Sequence, residues 1–291
     1  MTPNLWMPFL LATTIAPNDA VDPVVAALQR ATVPGIYDQP VRLVDGQFQG
    51  EPFVAGGVAR PRLFLVPYLH HEVDLDADGE EEIVAYLEEN SGGSGHFLYA
   101  AVFEARGDSL VASTTLRIGD REQIRRSRVE GRSIVLDLVA HGPQDAGCCP
   151  NQLQRRHLSL DGQGLLVERR EVQGTATTDL LDGTSWRLRS LVYLGPEVDV
   201  EVTLRFEGER IYGSAGCNRF EVTYASPRRR ELEVGAPIST RKMCPSDVMD
   251  VEDRFLAALP SVTQWNFLAG NLALLYFDAE GRPRSLVFEA D

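Results

Sequence analysis

Phe97-Leu-Tyr-Ala-Ala-Val-Phe-Glu-Ala105, then Arg106-Gly107-Asp108, then Ser109-Leu-Val-Ala-Ser-Thr-Thr-Leu-Arg-Ile118: two apolar, β-favouring runs are split by a short turn-forming triplet. This is the signature of an antiparallel hairpin. Moving outward, Leu63 to Leu69 and Ile83 to Leu87 precede the hairpin, and Ile134 to Ala140 and Leu153 to Leu160 follow it, each bounded by Gly, Asp, Asn or Pro clusters. Such spacing suits an antiparallel sheet. Ahead of the sheet, Asp22-Pro23 with Val24, Val25 and Leu28 reads as a cap, a first-turn proline and one apolar helical face, giving a helix to about Arg30.

The chain has 291 residues, about twice the usual single-domain length. Near Glu171-Val-Gln-Gly-Thr-Ala-Thr-Thr-Asp179 the strand pattern lapses into small polar residues, which reads as a linker over 173–180. The expected order is a signal-like or disordered stretch (1–20), a β-rich unit (21–172), the linker, and a second unit (181–291). In that second unit Val198 to Phe206, Arg210 to Gly213, Phe220 to Tyr224, Thr263 to Leu268, Leu272 to Phe277 and Ser285 to Phe288 have strand character. One helix interrupts them, capped by Ser246 and buried through Val248, Val251, Phe255, Leu256 and Leu259. The fold class is α+β: two mainly antiparallel β domains with few helices.

Motifs in the second unit carry a resemblance. Gly183-Thr-Ser-Trp186, Gly213-Ser-Ala-Gly216-Cys217-Asn218-Arg219-Phe220, Ser239-Thr240-Arg241-Lys-Met243-Cys244, Glu252 with Phe255, Leu259 and Pro260, and Leu272-Ala-Leu274 follow one another in order. Together they resemble the META domain family, the HslJ-like group, over roughly Leu181 to Phe288. The resemblance implies a small α/β domain of bacterial envelope proteins, linked to stress or antibiotic tolerance and without an established catalytic residue. The first unit is similar to an uncharacterised domain of secreted bacterial proteins through Asp74 to Gly79, Ser91 to Gly95, Gly119-Asp-Arg121 and Gly142 to Pro150.

Charge and targeting narrow the partners. A net charge of −14 argues against nonspecific nucleic-acid binding, because a polyanion meets a repulsive field. Leu5 to Ala16 is an apolar run of signal-peptide length that no Lys or Arg precedes, and it is too short to span a bilayer. The expectation is a periplasmic or secreted protein with no membrane span in the mature chain.

Four cysteines form no C-x-x-C pair. On export, Cys217 and Cys244 are expected to form a disulfide worth about 3 kcal/mol, with two buried thiols as the alternative. Cys148 and Cys149 form a vicinal disulfide or stay unlinked. Residues 72–89 contain nine acids and no Lys or Arg. Within them Asp74-x-Asp76-x-Asp78-Gly79-x-x-Glu82 sets oxygen donors at alternate positions around a tight turn, as calcium loops do. Glu80 would offer its backbone carbonyl. Ala85 stands where an EF-hand needs a bidentate Glu, so the loop is similar to the shorter calcium loops of β-hairpins, closed by Glu82. The other reading is a solvated acidic turn.

Other signals are weaker. Gly107-Asp108-Ser109-Leu110 spells a lipase-type motif but falls in the hairpin turn. A zinc site from Cys148, Cys149 and His157 would require adjacent cysteines to share one tetrahedral metal. His70, His71, His96 and His141 read as loop or core residues. Arg125-Arg126-Ser-Arg128 and Arg228-Arg229-Arg230 read as solvated faces, and Trp186, Trp265, Tyr212 and Phe220 as core. The reading that results is a noncatalytic envelope or secreted protein that binds an unidentified envelope protein or ligand, or serves a structural or stress-tolerance role. The rivals are an inhibitor-like protein-binding module and a serine hydrolase built on Ser109.

Overall fold

The computed structural model describes residues 22–107, 109–191 and 199–291. The signal-like stretch 1–20 and Asp108 lie outside the described residues. Helix α1 (Pro23–Leu28) starts where Asp22 Oδ1 accepts the Val24 N–H at 2.9 Å. The first unit then builds β1 (Thr32–Val33), β2 (Val41–Arg42), β3 (Gln47–Gln49), β4 (Arg62–Val73), β5 (Glu82–Glu89), β6 (Phe97–Arg106) and β7 (Ser109–Asp120). These strands make a seven-stranded sheet in the order β2-β1-β7-β6-β5-β4-β3, antiparallel except where β1 meets β7. The β6–β7 hairpin closes with Arg106 opposite Ser109.

Arg121, in the left-handed region at φ 58°, then turns the chain into a second sheet. Its strands are β8 (Gln123–Glu130), β9 (Ser133–Ala140), β10 (Gln152–Asp161) and β11 (Gly164–Thr175), in the order β11-β10-β9-β8. Val66, Val84, Tyr86, Leu98 and Val102 of the first sheet pack on Ile124, Ile134, Leu136, Leu138 and Leu158 of the second. The opposite face of the first sheet buries Leu63, Leu87, Phe103 and Leu110 with Leu28 of α1.

The segment 173–180 between the two units carries regular structure. Gln173 to Thr175 complete β11, Ala176 is buried with its N–H on the Asn151 carbonyl at 2.8 Å, and Thr178–Leu180 form a 3-10 turn. Small polar residues here close a ladder against β10. The arginine-rich strand β8 and the C-terminal half of β11 also lie outside the apolar runs read from the sequence, because their polar side chains alternate with few buried positions.

The second unit forms a nine-stranded sheet. Eight strands run in the order β16 (Glu233–Val234), β15 (Arg219–Ala225), β14 (Arg210–Ser214), β13 (Thr203–Glu207), β12 (Ser185–Ser190), β20 (Pro283–Ala290), β19 (Asn271–Phe277) and β18 (Val262–Leu268). The ninth, β17 (Ile238–Ser239), pairs with β15. Helix α2 (Ser246–Ala258) packs through Phe255 and Ala258, followed by Leu259. Pro245 rather than Ser246 occupies the cap position, and no side chain caps the helix, so the Ser246 expectation is corrected. Phe220, Phe255 and Phe288 stack edge to face in the core. No helix among the described residues is long and apolar enough to cross a membrane.

The two units share buried surface. Strand β9 is covered on both faces: Ile134, Leu136 and Leu138 meet the first sheet, while Val139, with Leu153 of β10, joins the core of the second unit. A strand sandwiched in this way reads as a nearly continuous apolar run, as Ile134 to Ala140 does but for Asp137, which is paired with Arg128 and Arg155.

Candidate functional site

The Gly213 to Phe220 block is a loop-locking device. A Cβ at Gly213 would sit 2.0 Å from the Thr203 carbonyl oxygen, so backbone approach dictates that glycine, whereas Gly216 is required by its φ of 112°, with the Val200 side chain packed against it. The buried Glu252 of α2 accepts the N–H groups of Cys217 at 3.2 Å and Asn218 at 2.7 Å on Oε2, and Asn218 Nδ2 at 2.7 Å on Oε1. Asn218 Oδ1 in turn accepts from Thr240 Oγ1 at 2.8 Å and the Lys242 N–H at 2.6 Å. The Cys217–Cys244 disulfide, with Cα atoms 5.9 Å apart, ties the same two segments covalently. Every polar atom of the Asn218 side chain is engaged in holding chain to chain.

The acidic loop joins β4 to β5. One carboxylate oxygen from each of Asp74, Asp76 and Asp78 lies within 4.8 Å of the others. Each also accepts a loop N–H: Asp74 from Ala77, Asp76 from Asp78, and Asp78 from Glu80. Glu80 is exposed. Glu82 sits at the loop base, buried, where its carboxylate accepts the Leu75 N–H at 2.7 Å. Burial raises its pKa against the opposing effect of that N–H, and the three aspartates push in the same direction as burial. The structure thus gathers three of the five expected ligands and turns Glu82 onto the backbone.

A cleft of about 370 Å³ opens between the two units. The corner residues Arg121, Glu122 and Gln123 supply part of its wall, and the Cys148–Cys149 disulfide, with Cα atoms 3.8 Å apart, supplies another. Asp145 shapes that disulfide loop by accepting the Gly142 and Asn151 N–H groups, each at 2.8 Å. These bonds outweigh burial and hold its carboxyl below the usual range. From the second unit, Arg230 donates to Gln123 Oε1 and Asn266 Oδ1 at 3.0 Å and to the Pro150 carbonyl at 2.7 Å. Burial lowers the Arg230 pKa. Glu122 of the cleft wall forms a buried pair at 3.2 Å with Arg156 behind it, and the two partners are each shifted toward neutrality, chiefly by burial.

Residues 179–290 match the family model of the META domain. The C-terminal unit therefore carries a META domain, and of the residues of the resemblance Gly213, Gly216, Cys217, Asn218, Thr240, Cys244 and Glu252 build the loop lock while Trp186, Phe255, Leu259, Leu272 and Leu274 fill the core. Comparisons with curated proteins and with solved structures gave no match for the chain.

The remaining sequence candidates fall apart spatially or join the scaffold. Ser109 Oγ donates to the Arg106 carbonyl at 3.3 Å, its one hydrogen bond among the described residues. His157 bonds Arg169, His71 bonds Ser127, and His96 bonds Asn90. Cys148 and Cys149 are joined to each other, so their sulfurs are not available as thiolate zinc ligands beside His157. The arginine clusters are corrected in part. Arg126, Arg228 and Arg229 are exposed, but Arg125 packs 5.5 Å over the Phe267 ring of the META domain and Arg230 bridges the units. Trp186, Trp265 and Phe220 are core residues, whereas Tyr212 is half-buried and donates to Glu207. Of the cleft residues, the sequence shows Glu88 and Arg230 as members of charge runs and Arg121 as part of the Gly119-Asp-Arg121 motif. Nothing in their spacing announced a shared wall.

Proposed function

We propose that this META-domain protein is exported to the periplasm or secreted, where it acts without catalysis, by binding or structural support in envelope stress tolerance. The observation that carries the reading is the pairing of all four cysteines, because thiols of a cytosolic protein are kept reduced. The loop lock supports the noncatalytic part, since Asn218 and Glu252 direct their polar atoms at the chain itself. Calcium at Asp74, Asp76 and Asp78 belongs to the same proposal: extracellular calcium modules bind weakly, through clustered carboxylates, and stiffen a hairpin end. The test is fractionation of native cells followed by thiol counting under denaturing, non-reducing conditions. The expected result is protein in the envelope or medium with no free thiol. Four free thiols on cytosolic material would overturn the proposal, and ester hydrolysis abolished by Ser109→Ala would overturn its noncatalytic part.

A further inference from the structure

Glu88 lies on β5 opposite Phe64 and Leu98, and its side chain lines the cleft between the units. It shares the cleft floor with Val66, Leu98 and Ile124, apolar residues from both sheets of the first unit. Among the described residues it makes no hydrogen bond or ion pair, and burial alone pushes its pKa up. The residue is half-buried, so burial weakens the solvation of its carboxyl while the cleft leaves it open to a ligand group of opposite charge. In the same cleft, among the described residues, Arg230 gives its hydrogen bonds to neutral acceptors, and the acid that acts on it through space is Asp145. Arg121, ion-paired with Asp120 and bonded to the Gly147 carbonyl through Nη1, adds a second guanidinium to the same wall, and among the described residues its Nε and Nη2 make no hydrogen bond.

One unpaired acid and an incompletely neutralised cation therefore face one cavity. A simple anion would leave Glu88 unmet, and a simple amine would leave Arg230 as it stands. A ligand carrying both charges meets both, and a volume of about 370 Å³, near the lower end for small-ligand sites, restricts it to a few tens of atoms at most. We propose that the cleft binds a small zwitterion of the amino-acid class, with its ammonium on Glu88, its carboxylate toward Arg230 and Arg121, and its side chain beside Phe267 and the Cys148–Cys149 pair. This assignment deepens the binding role proposed above. Its failure would leave the export and noncatalytic readings untouched, because those rest on thiol state, location and lack of turnover.

The experiment is calorimetric titration of the full chain with the protein amino acids, each up to about 10 mM, followed by the N-acetyl and carboxamide derivatives of any that bind. The expected result is binding of at least one free amino acid, weakened about tenfold or more by blocking either end. Glu88→Gln should weaken the free amino acid to a similar degree and leave the N-acetyl form unchanged, a coupling that general loosening of the cleft does not produce. Absence of binding across the panel, equal affinity for the blocked forms, or unchanged affinity in Glu88→Gln would each overturn the proposal. If that variant fails to fold, the derivative series on the unaltered protein decides alone.

Discussion

Glu252 sits where an isosteric change and a truncation should differ by a predictable amount. Its two carboxylate oxygens accept from three donors, the Cys217 and Asn218 N–H groups and Asn218 Nδ2. In Glu252→Gln one oxygen becomes an NH₂ group that must face either the backbone pair or Asn218 Nδ2, all of them donors. Asn218 cannot turn over to help, because its Oδ1 already accepts from Thr240 and Lys242. One donor–donor conflict in a buried site should cost about 2 kcal/mol. Glu252→Ala strands all three donors and opens space under the Cys217 loop, for about 4 kcal/mol. At about 2–4 °C per kcal/mol for a chain of this size, melting should fall by about 4–8 °C and about 8–16 °C respectively. Adding Asn218→Ala to Glu252→Ala should cost less than the sum of the two single changes, since they share the same bonds. Denaturant unfolding monitored by tryptophan fluorescence measures the series. A Glu252→Gln protein within about 0.5 kcal/mol of the original would refute the reasoning, as would equal losses for Gln and Ala.

Three further outcomes follow from other parts of the fold. Replacing Cys217 and Cys244 with Ser should lower stability by about 3.5 kcal/mol from loop closure over 27 residues, and equal denaturant midpoints would contradict this. Burial works against ionisation of Asp137, but hydrogen bonds and charges from Arg155 and Arg128 outweigh it and hold its pKa below 3.8. Its stabilising contribution is therefore complete above the unfolded pKa and lost as pH falls through the lower folded one, so the stability gap to Asp137→Asn should close in acid; a gap constant from pH about 7 to about 2 would count against it. Millimolar-range calcium should raise the melting temperature relative to chelator, and Asp76→Ala should abolish the rise. Identical curves in chelator and calcium would leave the loop as a solvated turn.

The apolar runs marked most of the core strands because each has enough buried neighbours to impose a pattern: Phe97 to Ala105 lies within β6, and Ile134 to Ala140 within β9. The ordered motifs from Gly183 to Leu274 marked the META domain, since close backbone approach, a positive φ and buried bonds demand Gly213, Gly216, Asn218 and Glu252 at fixed places. Strand β8 escaped notice because Arg125, Arg126 and Arg128 break its pattern. Those side chains find partners on other elements: Phe267 of β18 for Arg125, far off in sequence, and Asp137 of the neighbouring strand β9 for Arg128.

By itself the sequence determined the β-rich class, the acidic hairpin turn and the identity of the second unit, because these rest on local periodicity and on residue types with few alternatives. Only the tertiary structure decided that β9 is buried on both faces, that residues 173–180 finish a strand and a turn, and that the two units meet around a cleft. Periodicity states which side of a strand avoids water, but not which distant surface covers it. Glu88 and Arg230 are 142 positions apart and share a cavity because the chain turns a corner at Arg121 and the segment between β15 and β16 docks on β18, where Arg230 bonds Asn266.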